Sequence, residues 1–164
     1  MTKDSMFSPQ RLALGTLAES RPGSVLIVAG EGWGTEVNEI LGGVDQTVLS
    51  PPIAPEHLSG LGRFDAGLVT GILRELDPKP GVEFLGLLRN LHCTRVALTL
   101  EQDALLAGWT REALLALEFL PLAAAAKTGG TEVFLYDIDL YNRGRDWNTP
   151  ESWANPQNFD KFRW

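Results

Sequence analysis

Cysteine is nearly absent: Cys93 is the one thiol in 164 residues. That excludes an intrachain disulfide and a cysteine-based zinc site. Histidine is almost as scarce, with His57 and His92 the only two. Positive charge is in deficit, 14 Lys and Arg against 21 Asp and Glu, for a formal net charge of −7. Tracking a nucleic-acid backbone needs a basic surface, so that class of partner is excluded. No basic block or basic amphipathic segment suits an anionic membrane surface. No apolar run approaches the ~18 residues of a membrane span. The opening "MTKDSMFSPQ" lacks the apolar core of a secretory signal, so a reducing cytoplasm is the expected location. There is no G-K-[ST], which excludes a P-loop.

What is present suits one soluble domain with a real core, hydrophobic residues making up 44% of the chain. Ser8 and Pro9 form a cap-then-proline start for a helix over about residues 9–19, with Leu12, Leu14 and Leu17 facing inward. Val25 to Ala29 is apolar on both faces, as in a parallel sheet covered by helices. Next comes "GEGWGTEVNEILGG", in which Thr35 caps a helix that stops at Gly42-Gly43. Asp45 to Ser50 reads as a weaker strand, and "PPIAPEHLSGLG" as loop. Ala66 to Thr70 and Thr94 to Leu100 are further strands, separated by a helix over Pro80 to Leu91. Thr110 caps a leucine-rich helix. A hairpin follows, turning at Lys127 to Gly130, with Thr131 to Ile138 as the last strand. This order implies a three-layer αβα sandwich: a mostly parallel, Rossmann-like sheet with an antiparallel C-terminal hairpin.

Three stretches carry a resemblance. "VLIVAGEGWG" places Gly30, Gly32 and Gly34 after a strand; "RFDAGLVTGILREL" puts Phe-Asp before an apolar strand; "WTREALLALEFLPL" is a helix ahead of the final hairpin. Together, over roughly residues 9 to 138, they resemble the class I S-adenosylmethionine-dependent methyltransferases in a shortened, degenerate form. The abridged shape with an aromatic tail is similar to that of some proteobacterial families.

The resemblance implies that acidic residues should flank the glycine loop, and both are missing. Val28 stands two positions before the first glycine, and Ser50 stands where an acid would hold the ribose hydroxyls. Between Ser50 and Phe64 there is no room for the further strand and helix that frame the adenine. Glu31 and Trp33 occupy loop positions the family keeps small, and an indole there can fill the ligand's space. The expectation is therefore no cofactor and no catalysis. The alternative is a minimal methyltransferase or other small-molecule-binding enzyme holding S-adenosylmethionine through Gly30, Glu31, Gly32 and Gly34. A nicotinamide site fails on Thr35, where a third glycine is needed.

Glu56, His57 and Asp65 form the titratable cluster expected near the carboxyl ends of the strands, with His57 more simply a solvated loop residue. In the alternative, Glu31 or Asp65 lies near the ligand. His92 reads as a helix cap and Cys93 as a small buried hydrophobe, and neither has metal-ligand spacing. Glu75 and Asp77 read as a solvated turn before Pro78.

Residues 141–164 hold Trp147, Trp153, Phe159, Phe162 and Trp164, a composition too aromatic for a disordered tail. They are expected to pack on domain 1–140 or on a partner protein, a second copy of the chain included.

Overall fold

The computed structural model describes residues 8–30, 32–122 and 130–139. Glu31, the turn 127–129 and the aromatic tail with Trp147, Trp153, Phe159, Phe162 and Trp164 lie outside the described residues.

The chain opens with helix α1 (Pro9–Ala18), whose cap is the expected one: Ser8 Oγ accepts from the Arg11 N–H at 3.0 Å. Then follow β1 (Ser24–Ala29), α2 (Gly34–Leu41), β2 (Asp45–Leu49), β3 (Ala66–Thr70), α3 (Pro78–Leu87) and β4 (Arg95–Leu100). Two short helices, α4 (Gln102–Leu106) and α5 (Arg111–Ala116), lead to β5 (Leu120–Pro121) and β6 (Glu132–Asp137).

The described strands form one sheet in the order β2-β1-β3-β4-β6-β5. β1, β2, β3 and β4 run parallel, while β6 pairs antiparallel with both β4 and β5. Strand side chains alternate between two cores. Val25, Ile27, Ala66, Leu68, Ala97 and Val133 meet α1 and α2 on one face. Leu26, Val28, Val69, Val96, Leu98 and Phe134 meet α3 and Trp109 on the other. Helices therefore cover both faces, which is the expected α/β sandwich. Apolar residues at every position of β1 after Ser24 follow from that double burial.

Several local expectations are corrected. α2 begins at Gly34, with Trp33 rather than Thr35 at the cap position and no side-chain cap. α3 starts at Pro78, where a proline needs no amide partner, and passes into a wider π turn over Leu88–His92. α4 was not expected: its five residues are too few for a periodic apolar pattern to show. The first arm of the hairpin pairs over only two residues among those described. His92 is buried with Nδ1 2.8 Å from the Gly62 carbonyl oxygen, so it ties a loop instead of capping a helix.

The segment after β2 contains one short turn, Pro55–Leu58, before β3, and β2 stands at the edge of the sheet. There is no extra strand between them, as the spacing required.

Candidate functional site

The chain runs from β1 outward to β2, then crosses back to place β3 on the other side of β1. Such a reversal leaves a crevice outside the carboxyl ends of the strands, the usual ligand site of open α/β sheets. A cleft of about 600 Å³ lies there. All four parallel strands contribute: Ala29, Gly30 and Trp33 after β1, Ser50 and Pro51 after β2, Gly71, Arg74 and Glu75 after β3, and Glu101 and Asp103 after β4.

Of the loop glycines, Gly30 lines this cleft, whereas Gly32 and Gly34 are not among its lining residues. The Gly30 N–H donates to the Thr70 carbonyl at 3.4 Å, and a Cβ on Gly30 would sit 3.1 Å from the Gly71 carbonyl oxygen. β1 and β3 thus end in a close backbone approach, which a side chain could enter only if the Gly71 carbonyl shifted by a few tenths of an ångström. Gly32 has φ +87°, a conformation side chains other than glycine rarely adopt. Gly34 opens α2, whose first N–H groups receive no side-chain cap.

Trp33 lines the cleft without closing it, which corrects the expectation of a filled site. Its side chain also packs against the core on the α1 and α2 side of the sheet, and its carbonyl accepts from Gln10 Nε2 at 3.2 Å. Val28 is fully buried in the core, so no charge could be placed there in this packing.

The charged lining comes from β3 and β4. Trp109 is 1% exposed, and its Nε1–H donates to the Leu73 and Leu76 carbonyls, both at 2.8 Å. That pins the turn which presents Arg74 and Glu75. Arg74 pairs with Asp103 at 3.2 Å and with Glu75 at 3.7 Å. Glu101 Oε1 accepts from the Gly71 N–H at 3.1 Å and from the Thr99 hydroxyl at 2.5 Å. Burial pushes the Glu101 carboxyl above the usual carboxylate range, partly offset by the Thr99 and Gly71 hydrogen bonds. Three carboxylates against one guanidinium leave the cleft net acidic.

The expected titratable cluster is not formed. Asp65 precedes β3 and therefore sits at the amino end of the sheet, where its Oδ2 accepts from the Gly23 N–H at 2.7 Å. Glu56 and His57 are exposed, and His57 Nδ1 accepts from the Ala54 N–H at 3.0 Å. Glu75 reaches the cleft while Asp77, at the start of α3, is not among its lining residues. Cys93 is buried as expected. Arg74, Glu101 and Asp103 were missed; the available signal was an acid placed directly after the apolar strand "RVALTL". Among the described residues no group of His, Cys, Asp or Glu is placed to hold a metal ion. No described helix is long and apolar enough to cross a membrane.

Comparison with known proteins places this geometry. A model described as a family of unknown function (DUF6231) matches residues 7–164. The chain belongs to that family. No curated protein matches it. Among solved structures it is similar to the N-methyltransferase NodS from Bradyrhizobium japonicum, with TM-score 0.56 and 12% identity over 77% of this chain and 91% of that one. It is also similar to the 1,6-didemethyltoxoflavin-N1-methyltransferase of Burkholderia thailandensis, with TM-score 0.52 and 19% identity over 77% and 76% of the two chains. The fold is therefore the Rossmann-like fold of methyltransferases. The Burkholderia enzyme was solved with 1,6-didemethyltoxoflavin and S-adenosylhomocysteine bound. That finding overturns the expectation of no cofactor, because a chain of the same fold holds an S-adenosyl ligand.

Proposed function

We propose that this chain binds S-adenosylmethionine in the cleft beyond Gly30 and acts as a minimal methyltransferase of the cytoplasm. The observation that carries the reading is the open, net acidic cleft of about 600 Å³ at the point where the strand order reverses. Its size falls within the roughly 300–1,000 Å³ of small-molecule pockets. Its charge suits a ligand with a cationic sulfonium and an ammonium group, and it repels the phosphates of a dinucleotide. The residues present fit such a ligand: Gly30 allows close backbone approach, Ser50 Oγ offers a hydrogen bond at the end of β2, and Arg74 is the cation for a carboxylate. The cofactor, when bound, supplies an activated methyl group; the chain's residues bind and orient it and shield it from water.

Calorimetric titration with S-adenosylmethionine and S-adenosylhomocysteine tests this directly. Binding is expected in the micromolar range, and Ser50→Asp is expected to tighten it about tenfold, since a carboxylate accepts from a diol more strongly than a hydroxyl does. Absence of heat with either ligand at millimolar concentration would remove the reading.

Association through residues 141–164 is a separate proposal, supported by their aromatic content. It places Trp147, Trp153, Phe159, Phe162 and Trp164 at a contact with a second copy of the chain.

A further inference from the structure

Glu101 stands apart from the other carboxylates of the cleft. Glu75 and Asp103 share the guanidinium of Arg74, whereas no cation pairs with Glu101 among the described residues. It occupies the cap position of α4, yet its side chain makes no capping bond to that helix and lines the cleft instead. The carboxylate is held from behind. Thr99 donates its hydroxyl proton to Oε1, so in the Thr70–Thr99 pair, 2.9 Å apart, the proton comes from Thr70. Thr99 is 1% and Thr70 6% exposed, and the Gly71 N–H completes the set. Two donors therefore converge on one oxygen, with a third hydroxyl behind them. The Glu101 main-chain N–H also donates to its own carboxylate, while no cation among the described residues reaches it.

An unpaired, partly buried carboxylate costs stability unless a ligand meets it. A purely structural tie between β3 and β4 needs only a neutral acceptor, which Gln supplies equally well. The fixed geometry and the missing countercharge both point to a donor that arrives from the cleft.

We infer that Glu101 is the residue that receives a protonated or N–H-bearing nitrogen of a bound ligand. Two sources share that chemistry: an amine-bearing small molecule, or the α-ammonium of the cofactor. The inference rests on the reading of this cleft as the cofactor site only for its second source.

The test compares nitrogen-bearing probes with neutral or deaminated counterparts on the wild-type chain, Glu101→Gln and Glu83→Gln. Glu83→Gln removes a similar charge from the exposed side of α3. S-adenosylhomocysteine is titrated against its deaminated analogue by calorimetry. Benzylamine is titrated against benzyl alcohol by following the Gly71 amide resonance. A preference of about tenfold for the nitrogen compound is expected in at least one pair. It should vanish in Glu101→Gln and persist in Glu83→Gln. A preference confined to the first pair assigns the nitrogen to the cofactor, and one in the second pair assigns it to an amine ligand. If S-adenosylhomocysteine does not bind while benzylamine is preferred, the cofactor reading fails and the role of Glu101 stands. No preference in either pair, or a preference surviving in Glu101→Gln, overturns the inference. Glu101→Gln keeps the Oε1 acceptor for Thr99 and Gly71, and thermal unfolding checks that it folds. Because the folded-state carboxyl is raised, its stability contribution is lost as pH rises, so the Gln variant is expected to be at least as stable at neutral pH, with any advantage fading in acid.

Discussion

Replacing Gly81 by Ala should destabilise the fold by an amount that the packing around Trp109 sets. A Cβ at Gly81 would lie 2.3 Å from Cζ2 and 2.7 Å from Cη2 of that indole, and 3.1 Å from Leu76 Cγ. Carbon atoms in contact prefer ~3.5–4.0 Å, so the ring or the helix must move by about 1 Å. The ring is not free to do so, because its N–H bonds the Leu73 and Leu76 carbonyls in a buried site. Overpacking of this kind costs ~1–3 kcal/mol. Distorting the indole hydrogen bonds adds about 1 kcal/mol. Removing a glycine from a helix returns about 1 kcal/mol. The net loss is about 1–3 kcal/mol. Gly86 is the internal control: it lies in the same helix, and its Cβ would meet only Leu117 Cδ2, at an ordinary 3.8 Å. Gly86→Ala should be neutral or stabilising by up to ~1 kcal/mol. Urea unfolding of the two variants should separate them by about 1–4 kcal/mol, with Gly81→Ala the weaker. Equal midpoints would refute the packing argument, and with it the claim that Trp109 pins the turn carrying Arg74 and Glu75.

Burial pushes the Cys93 thiol from 9.0 up to about 12, against the opposing charge of Arg63, so thiol reagents at pH 8 should label it only in denaturant. Rapid native labelling would contradict its burial. The same shift has a sign: the unfolded chain loses this proton first as pH rises above 9.0, so stability should decline between there and about 12, and Cys93→Ala should remove that part of the slope. For the tail, sedimentation of the chain with and without residues 142–164 should show a dimer becoming a folded monomer. A monomer in both forms would end the proposal of self-association.

Much of the fold was legible from local patterns. "SVLIVA" is apolar at nearly every position because both faces of β1 are covered, and Ser8-Pro9 reads as a helix start because the cap bond is made within four residues. The short elements were not legible. α4 and the π turn at Leu88–His92 hold too few residues for a period to emerge, and their form follows from what packs against them. At the site, the glycines and Ser50 were visible as a motif, but the absence of two acids was read as a closed cradle. That inference treated Trp33 by its size alone. In the structure the side chain packs against the core on the α1 and α2 side, and the cleft stays open.

Sequence alone determined the alternation of strands and helices and the missing extra strand after β2. Each of these depends on composition or on contacts close along the chain. The site was decided only in three dimensions. Asp65 and Glu101 look equivalent in sequence, an acid just before one strand and an acid just after another. In a parallel sheet the two ends of a strand are separated by its full length, so Asp65 falls at the amino end and Glu101 in the cleft. Bringing Gly71, Thr99 and Thr70 around one carboxylate takes the pairing of β3 with β4, a contact that no local pattern encodes.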